Sequence, residues 1–126
     1  MAMTSTPPEG FRTVTPRMFV RDAVAVVEFL RTVFDATGEV RAGRPAEIRI
    51  GDSLVMVTPA DEREPFPAFL YVYVDDTDAR YRRALAAGAV SLEEPVDTPY
   101  GDRRAMVRDS FGNIFQVAHR KDAGGA

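Results

Sequence analysis

Cysteine is absent from this 126-residue chain, and histidine occurs once, as His119. Without thiols the chain forms neither disulfides nor thiolate metal sites, and it has no cysteine nucleophile. A sole histidine near the end of the chain is incompatible with a Ser-His-Asp order, and it reads as a surface or packing residue rather than a base. No apolar run approaches the roughly 18 residues needed for a membrane span. Residues 1–12 lack the charged-then-apolar order of a secretory signal, so the cytoplasm is the expected location. An excess of charge is missing too: 16 Lys+Arg against 19 Asp+Glu give a net −3, which offers no broad attraction to phosphate backbones. Neither nucleic acid nor a membrane is an expected partner. Paired carboxylates on one strand face and a phosphate-cradling P-loop are likewise missing.

What is present is enough apolar material, 45% of residues, to bury the core of a single domain. The prolines and Gly10 of residues 1–12 predict a loose tail, and residues 120–126 read the same way. Residues 13–20 predict a first strand, with Pro16 holding it to an edge because proline cannot donate to a ladder. Asp22 is placed to cap a helix whose stripe Val26, Val27, Leu30, Val33 and Phe34 recurs at helical period. Short strands are expected at residues 39–41 and 46–50, and the Gly51-Asp52 turn leads into a strand over residues 53–57. A Pro- and acid-rich loop closes this half.

The second half repeats the order. Residues 68–74 predict a strand, and Asp76 caps a helix with Tyr81, Ala84 and Leu85 on one face. Gly88 follows that helix at its left-handed end. Strands are expected at residues 89–92, 104–108 and 113–119, the last two joined through Asp109-Ser110-Phe111-Gly112. Val20-Arg21-Asp22 and Val74-Asp75-Asp76 match at an offset of 54, and residues 54–57 match 114–117 at an offset of 60. The fold class that follows is α+β, with two tandem βαβββ modules at about residues 13–58 and 68–119.

This order, with Val20-Arg21-Asp22, Ile50-Gly51-Asp52-Ser53, Tyr100-Gly101-Asp102-Arg103 and Arg108-Asp109-Ser110-Phe111-Gly112-Asn113 at its boundaries, resembles the glyoxalase/bleomycin-resistance/dioxygenase family, the vicinal oxygen chelate superfamily. The resemblance implies two modules whose curved sheets enclose a cleft, commonly in homodimers. It also implies metal ligands near the start of the first strand and within the last strand of each module, which fall here on Thr15, Met56, Phe69 and Gln116. Phe69 has no donor atom, Met56 offers a soft thioether, and Thr15 and Gln116 offer weak neutral oxygens, so neither a metal nor another cofactor is expected.

Strand parity assigns the remaining faces. Thr15, Arg17, Phe19, Met56, Phe69, Tyr71, Tyr73 and Gln116 fall on the cleft side, with Leu54, Thr58, Ile114 and Ala118. Met18, Val20, Val55, Val57, Leu70, Val72, Val74, Phe115 and Val117 fall on the helix side. Arg49 and Glu47 alternate with Ile48, a pattern that serves either cleft lining or solvated cross-strand pairing. The cleft side suits a flat, partly apolar ligand, with Arg17 or Gln116 to fix a carboxylate, carbonyl or amide. The same aromatics would also suit plain packing or a subunit interface. The expected function is metal-free binding of a small aromatic or partly apolar molecule, of sequestration or resistance type, by a homodimer. Two alternatives stand beside it: an enzyme of the same family (lyase, isomerase or dioxygenase) with a non-standard site, and an interaction protein whose cleft is filled by packing or by a neighbour's Pro7-Pro8 arm.

Overall fold

A computed structural model describes residues 7–61 and 63–121. Its elements, in chain order, are β1 (Arg17–Val20), α1 (Ala23–Phe34), β2 (Ala46–Ile50), β3 (Ser53–Pro59), β4 (Phe69–Tyr73), α2 (Thr77–Ala86), β5 (Val90–Asp97), β6 (Asp102–Arg108) and β7 (Ile114–Arg120). They form a three-stranded sheet in the order β1-β3-β2 and a four-stranded sheet in the order β4-β7-β6-β5. Most of the expected tails lie outside the described residues, but β7 runs through Arg120. No helix among the described residues is long and apolar enough to cross a membrane.

Both helices start where a carboxylate can accept an otherwise orphaned N–H. Asp22 accepts from Ala25 N at 3.0 Å and Asp76 from Ala79 N at 3.1 Å. Every residue of the expected α1 stripe is buried, with Phe29 added to it. The expected α2 face is only half right: Ala84 is buried and Tyr81 partly so, whereas Leu85 is exposed.

The duplication is visible in the register. Arg17 lies opposite Met56 across β1 and β3, and Tyr71 lies opposite Gln116 across β4 and β7, both in parallel pairs. These positions are related by the same offsets of 54 and 60 read from the sequence. The halves differ at one element. The strand expected at residues 39–41 does not form; Thr37 alone bridges Arg49 there, exchanging two backbone bonds of 3.0 and 2.9 Å. At Gly38 (φ 121°) the chain passes so close to β2 that a Cβ would lie 2.4 Å from the Glu47 carbonyl oxygen. Glycine, with no Cβ, is what permits so close an approach to β2 there, and the pairing does not extend beyond the Thr37 bridge. In the second half β5 extends to Asp97, farther than expected, and it does so through register shifts either side of Glu93. Pro95, which has no N–H to donate, lies within the second irregularity.

The helix-facing side chains of both sheets form one core. Met18, Val20, Val55, Val57, Phe115 and Val117 are all buried, and Leu70, Val72 and Val74 pack against them. Phe115 of β7 meets α1 of the other half, with ring centroids 5.7 Å from Phe29 and 5.5 Å from Phe34. Arg80 of α2 ties the helices together by bonding the Val33 carbonyl at 3.1 Å and the Asp35 carboxylate at 2.8 Å. Because the helices and helix-facing sides are spent on this shared core, the opposite face of each sheet is left open.

Candidate functional site

The open face of the first sheet carries Arg17 and Phe19 on β1, Met56 and Thr58 on β3, and Glu47 and Arg49 on β2. Met56 is the middle of a row, with Arg17 on one side and Glu47 on the other. Arg17 is held in place. Its Nε donates to Thr58 Oγ1 at 3.2 Å, and its guanidinium stands 4.7 Å from the centre of the Phe19 ring. A second guanidinium, from Arg63 in the following loop, stands 4.8 Å from the same ring. Thr15 precedes β1 and is half-buried, and Arg49 is exposed.

The open face of the second sheet carries Phe69, Tyr71 and Tyr73 on β4, and Gln116 on β7 between Tyr71 and Met106. Phe69 and Tyr73 are 60% and 61% exposed, high values for aromatic side chains on a strand. Tyr71 and Tyr73 lie with ring centroids 5.3 Å apart. Their hydroxyls donate to one oxygen of Asp102, at 2.6 and 2.8 Å, while Arg120 donates to the other at 3.0 Å. Ala118, on β7 between Tyr73 and Arg104, is small and buried. The three donors, Tyr71 foremost, hold the Asp102 carboxyl below the usual carboxylate range although burial opposes this. Burial, and then the bond to Asp102, push the Tyr71 phenol up; the bond to Asp102 is the first cause of the rise at Tyr73. A second closed group lies alongside: Arg104 makes paired bonds of 2.9 and 3.0 Å to Glu93 and a third of 2.9 Å to the Tyr100 hydroxyl.

Asp102 and Arg120 are not among the residues expected from sequence, where residues 97–102 read as a turn and residues 120–126 as a tail. The available signal was parity, since Asp102 shares a face with Arg104 and Met106 once β6 starts two residues earlier. His119 is on the other face. Its Nδ1 accepts from Thr77 N at 3.0 Å, so it helps cap α2 and is engaged in structure.

Of the nine expected site residues, one sheet gathers Arg17, Phe19, Arg49 and Met56 with Thr15 beside them, and the other gathers Phe69, Tyr71, Tyr73 and Gln116. A cavity of about 510 Å³ lies between the β2–β3 turn and the free edge of β4, with Phe34 and Val55 among its walls. Tyr71 and Tyr73 line it; the other seven expected residues do not.

A model of the glyoxalase/bleomycin resistance protein/dioxygenase superfamily matches residues 12–117. The chain belongs to this superfamily. It is 30% identical over 123 residues to an uncharacterized protein of Mycobacterium tuberculosis, covering 82% of this chain and 72% of that one. It is 33% identical over 98 residues to the putative glyoxylase CFP32 of Mycobacterium bovis, covering 75% of this chain and 38% of the relative. Among solved structures it resembles a superfamily enzyme from Burkholderia phytofirmans, at 24% identity and a TM-score of 0.71, over 82% of this chain and 94% of that one. TioX from Micromonospora is similar at 24% identity and a TM-score of 0.69, over 89% and 98% of the two chains.

The four residues at which the resemblance implies metal ligands do not form a fitting donor set. Thr15, Met56, Phe69 and Gln116 supply one neutral hydroxyl, one thioether, one hydrocarbon ring and one amide, a poor donor set for a hard or borderline divalent ion. Among the described residues no three His, Cys, Asp or Glu side chains come within coordinating reach of one another.

Proposed function

We propose that the protein binds a small, flat, partly apolar molecule without a metal, sequestering it in a cleft closed when the first sheet of one copy faces the second sheet of another. The observation that carries this reading is the pair of open faces. Aromatic, thioether and amide side chains stand at equivalent register positions on both sheets, outward from a core that already uses the helix side. Burying Phe69 and Tyr73, more than half exposed in the single chain, gives the pairing its apolar drive. A homodimer supplies both halves of the cleft with one gene product and one isologous contact.

The test joins assembly to metal content. Sedimentation should give twice the chain mass, and Tyr73→Asp should return the protein to monomer. After incubation with divalent metals and dialysis, no ion should remain at one per chain. A tightly held ion that Gln116→Ala releases would overturn the metal-free reading. Turnover of a carbonyl or phenolic substrate would replace sequestration with catalysis.

A further inference from the structure

The two open faces differ in how their charges are spent. On the second sheet each charged group facing the proposed cleft near the tyrosines has its counter-charge: Asp102 with Arg120, and Glu93 with Arg104. The first sheet carries Arg17 and Arg63 against one ring, and neither reaches a carboxylate among the described residues. Each guanidinium stands within 4.8 Å of the same ring centre, so one anion beside Phe19 can draw on the N–H donors of both. Arg17 is also oriented, since its Nε is taken by Thr58 and its terminal nitrogens remain to donate. Glu47 is the one carboxylate on the described strands of this face. It lies on β2, with the Met56 strand between it and Arg17, and it does not pair with either arginine.

We infer that the ligand is an aromatic anion, its carboxylate or equivalent oxyanion held by Arg17 and Arg63 beside Phe19 and its ring held by Tyr71 and Tyr73 of the facing copy. This rests on the cleft reading above and adds the ligand's charge and orientation to it. The tyrosine hydroxyls donate to Asp102, so they cannot also serve as donors to a ligand anion. That function falls to the arginines of the other sheet. The rings of Tyr71 and Tyr73 remain available as a stacking wall, stiffened by Asp102.

The probes are 4-nitrobenzoate and the isosteric, neutral 4-nitrobenzamide, titrated calorimetrically into the full-length protein at low and high salt. The benzoate should bind roughly tenfold or more tightly than the amide, with the preference shrinking as salt rises. Arg17→Gln combined with Arg63→Gln should erase the preference without moving Tm, whereas Arg17→Lys should keep part of it. The exposed Arg82→Gln on α2 should change nothing. Tyr73→Ser should weaken both probes alike. Equal binding of both probes, still weakened by Tyr73→Ser, would overturn the anion assignment while leaving the cleft standing. Failure of both probes at millimolar concentration would overturn the two together. A benzoate preference that survives loss of both arginines would place the anion elsewhere and overturn the assignment.

Discussion

The two halves of this chain share a backbone plan and differ in chemistry. The second half is the complete βαβββ unit, and the polar groups on its open face are consumed internally, Asp102 by two tyrosines and an arginine, Arg104 by a glutamate and a tyrosine. The first half is one strand short, and its open face carries arginines with no carboxylate to meet them among the described residues. A duplicated framework keeps apolar positions in step because each must face the same shared core. Side chains on the open faces carry no such constraint. The open face of one half is an aromatic wall with its charges paired, and that of the other carries arginines beside a phenyl ring.

The comparison can be broken most forcefully at the core. Phe115→Ala should cost about 3–5 kcal/mol, because the ring is fully buried and fills the gap between the second sheet and α1 of the other half. Urea unfolding followed by signals from each half should remain a single transition. Two separate transitions would mean that the halves are independent. Next is the β6–β7 turn. Asn113 donates to Asp109 at 2.8 Å and accepts from Ala68 N at 2.9 Å, so Asn113→Ala leaves buried partners unsatisfied and should cost about 1–3 kcal/mol.

The helix caps test equivalence directly. Asp22→Ala and Asp76→Ala should each cost about 1 kcal/mol, and a marked inequality would show that one half depends on its helix more than the other. The smallest effect is a change of shape rather than size. Asp102 is held below its ordinary range in the fold, so the stability it contributes is present above an unfolded carboxyl value of about 4 and is lost as pH falls through the depressed folded value. Tyr71 and Tyr73 are raised, so theirs is present below about 10 and lost above it. Melting temperature against pH should hold a plateau between these limits. Asp102→Asn should soften both limbs.

Much of the architecture was readable in advance because it depends on short-range periodicity. The α1 stripe, the two aspartate caps and the helix-side residues of every compared strand follow from periods of 3.6 and 2.0 that survive without knowledge of neighbours. The strand at residues 39–41 was misread because its alternation was too short to outweigh the approach of Gly38 to β2. The extension of β5 past Pro95 was missed because a bulge can carry a proline that a regular ladder cannot. Of the nine candidate site residues, Thr15, Met56, Phe69 and Gln116 follow from the family resemblance, and Arg17, Phe19, Arg49, Tyr71 and Tyr73 from strand parity. Parity places a side chain on a face without saying what stands opposite that face.

The duplication, the apolar helix-side faces and the donor types at Thr15, Met56, Phe69 and Gln116 were determined by sequence alone, since residue type and strand parity are properties of single residues and their immediate spacing. Which charges cancel was decided only by tertiary structure. Tyr71, Tyr73, Asp102 and Arg120 come from three strands of one sheet, and Arg17, Phe19 and Arg63 from a strand and a distant loop. Hydrogen bonds and ion pairs act over about 3–4 Å, and only the folded chain brings such residues that close.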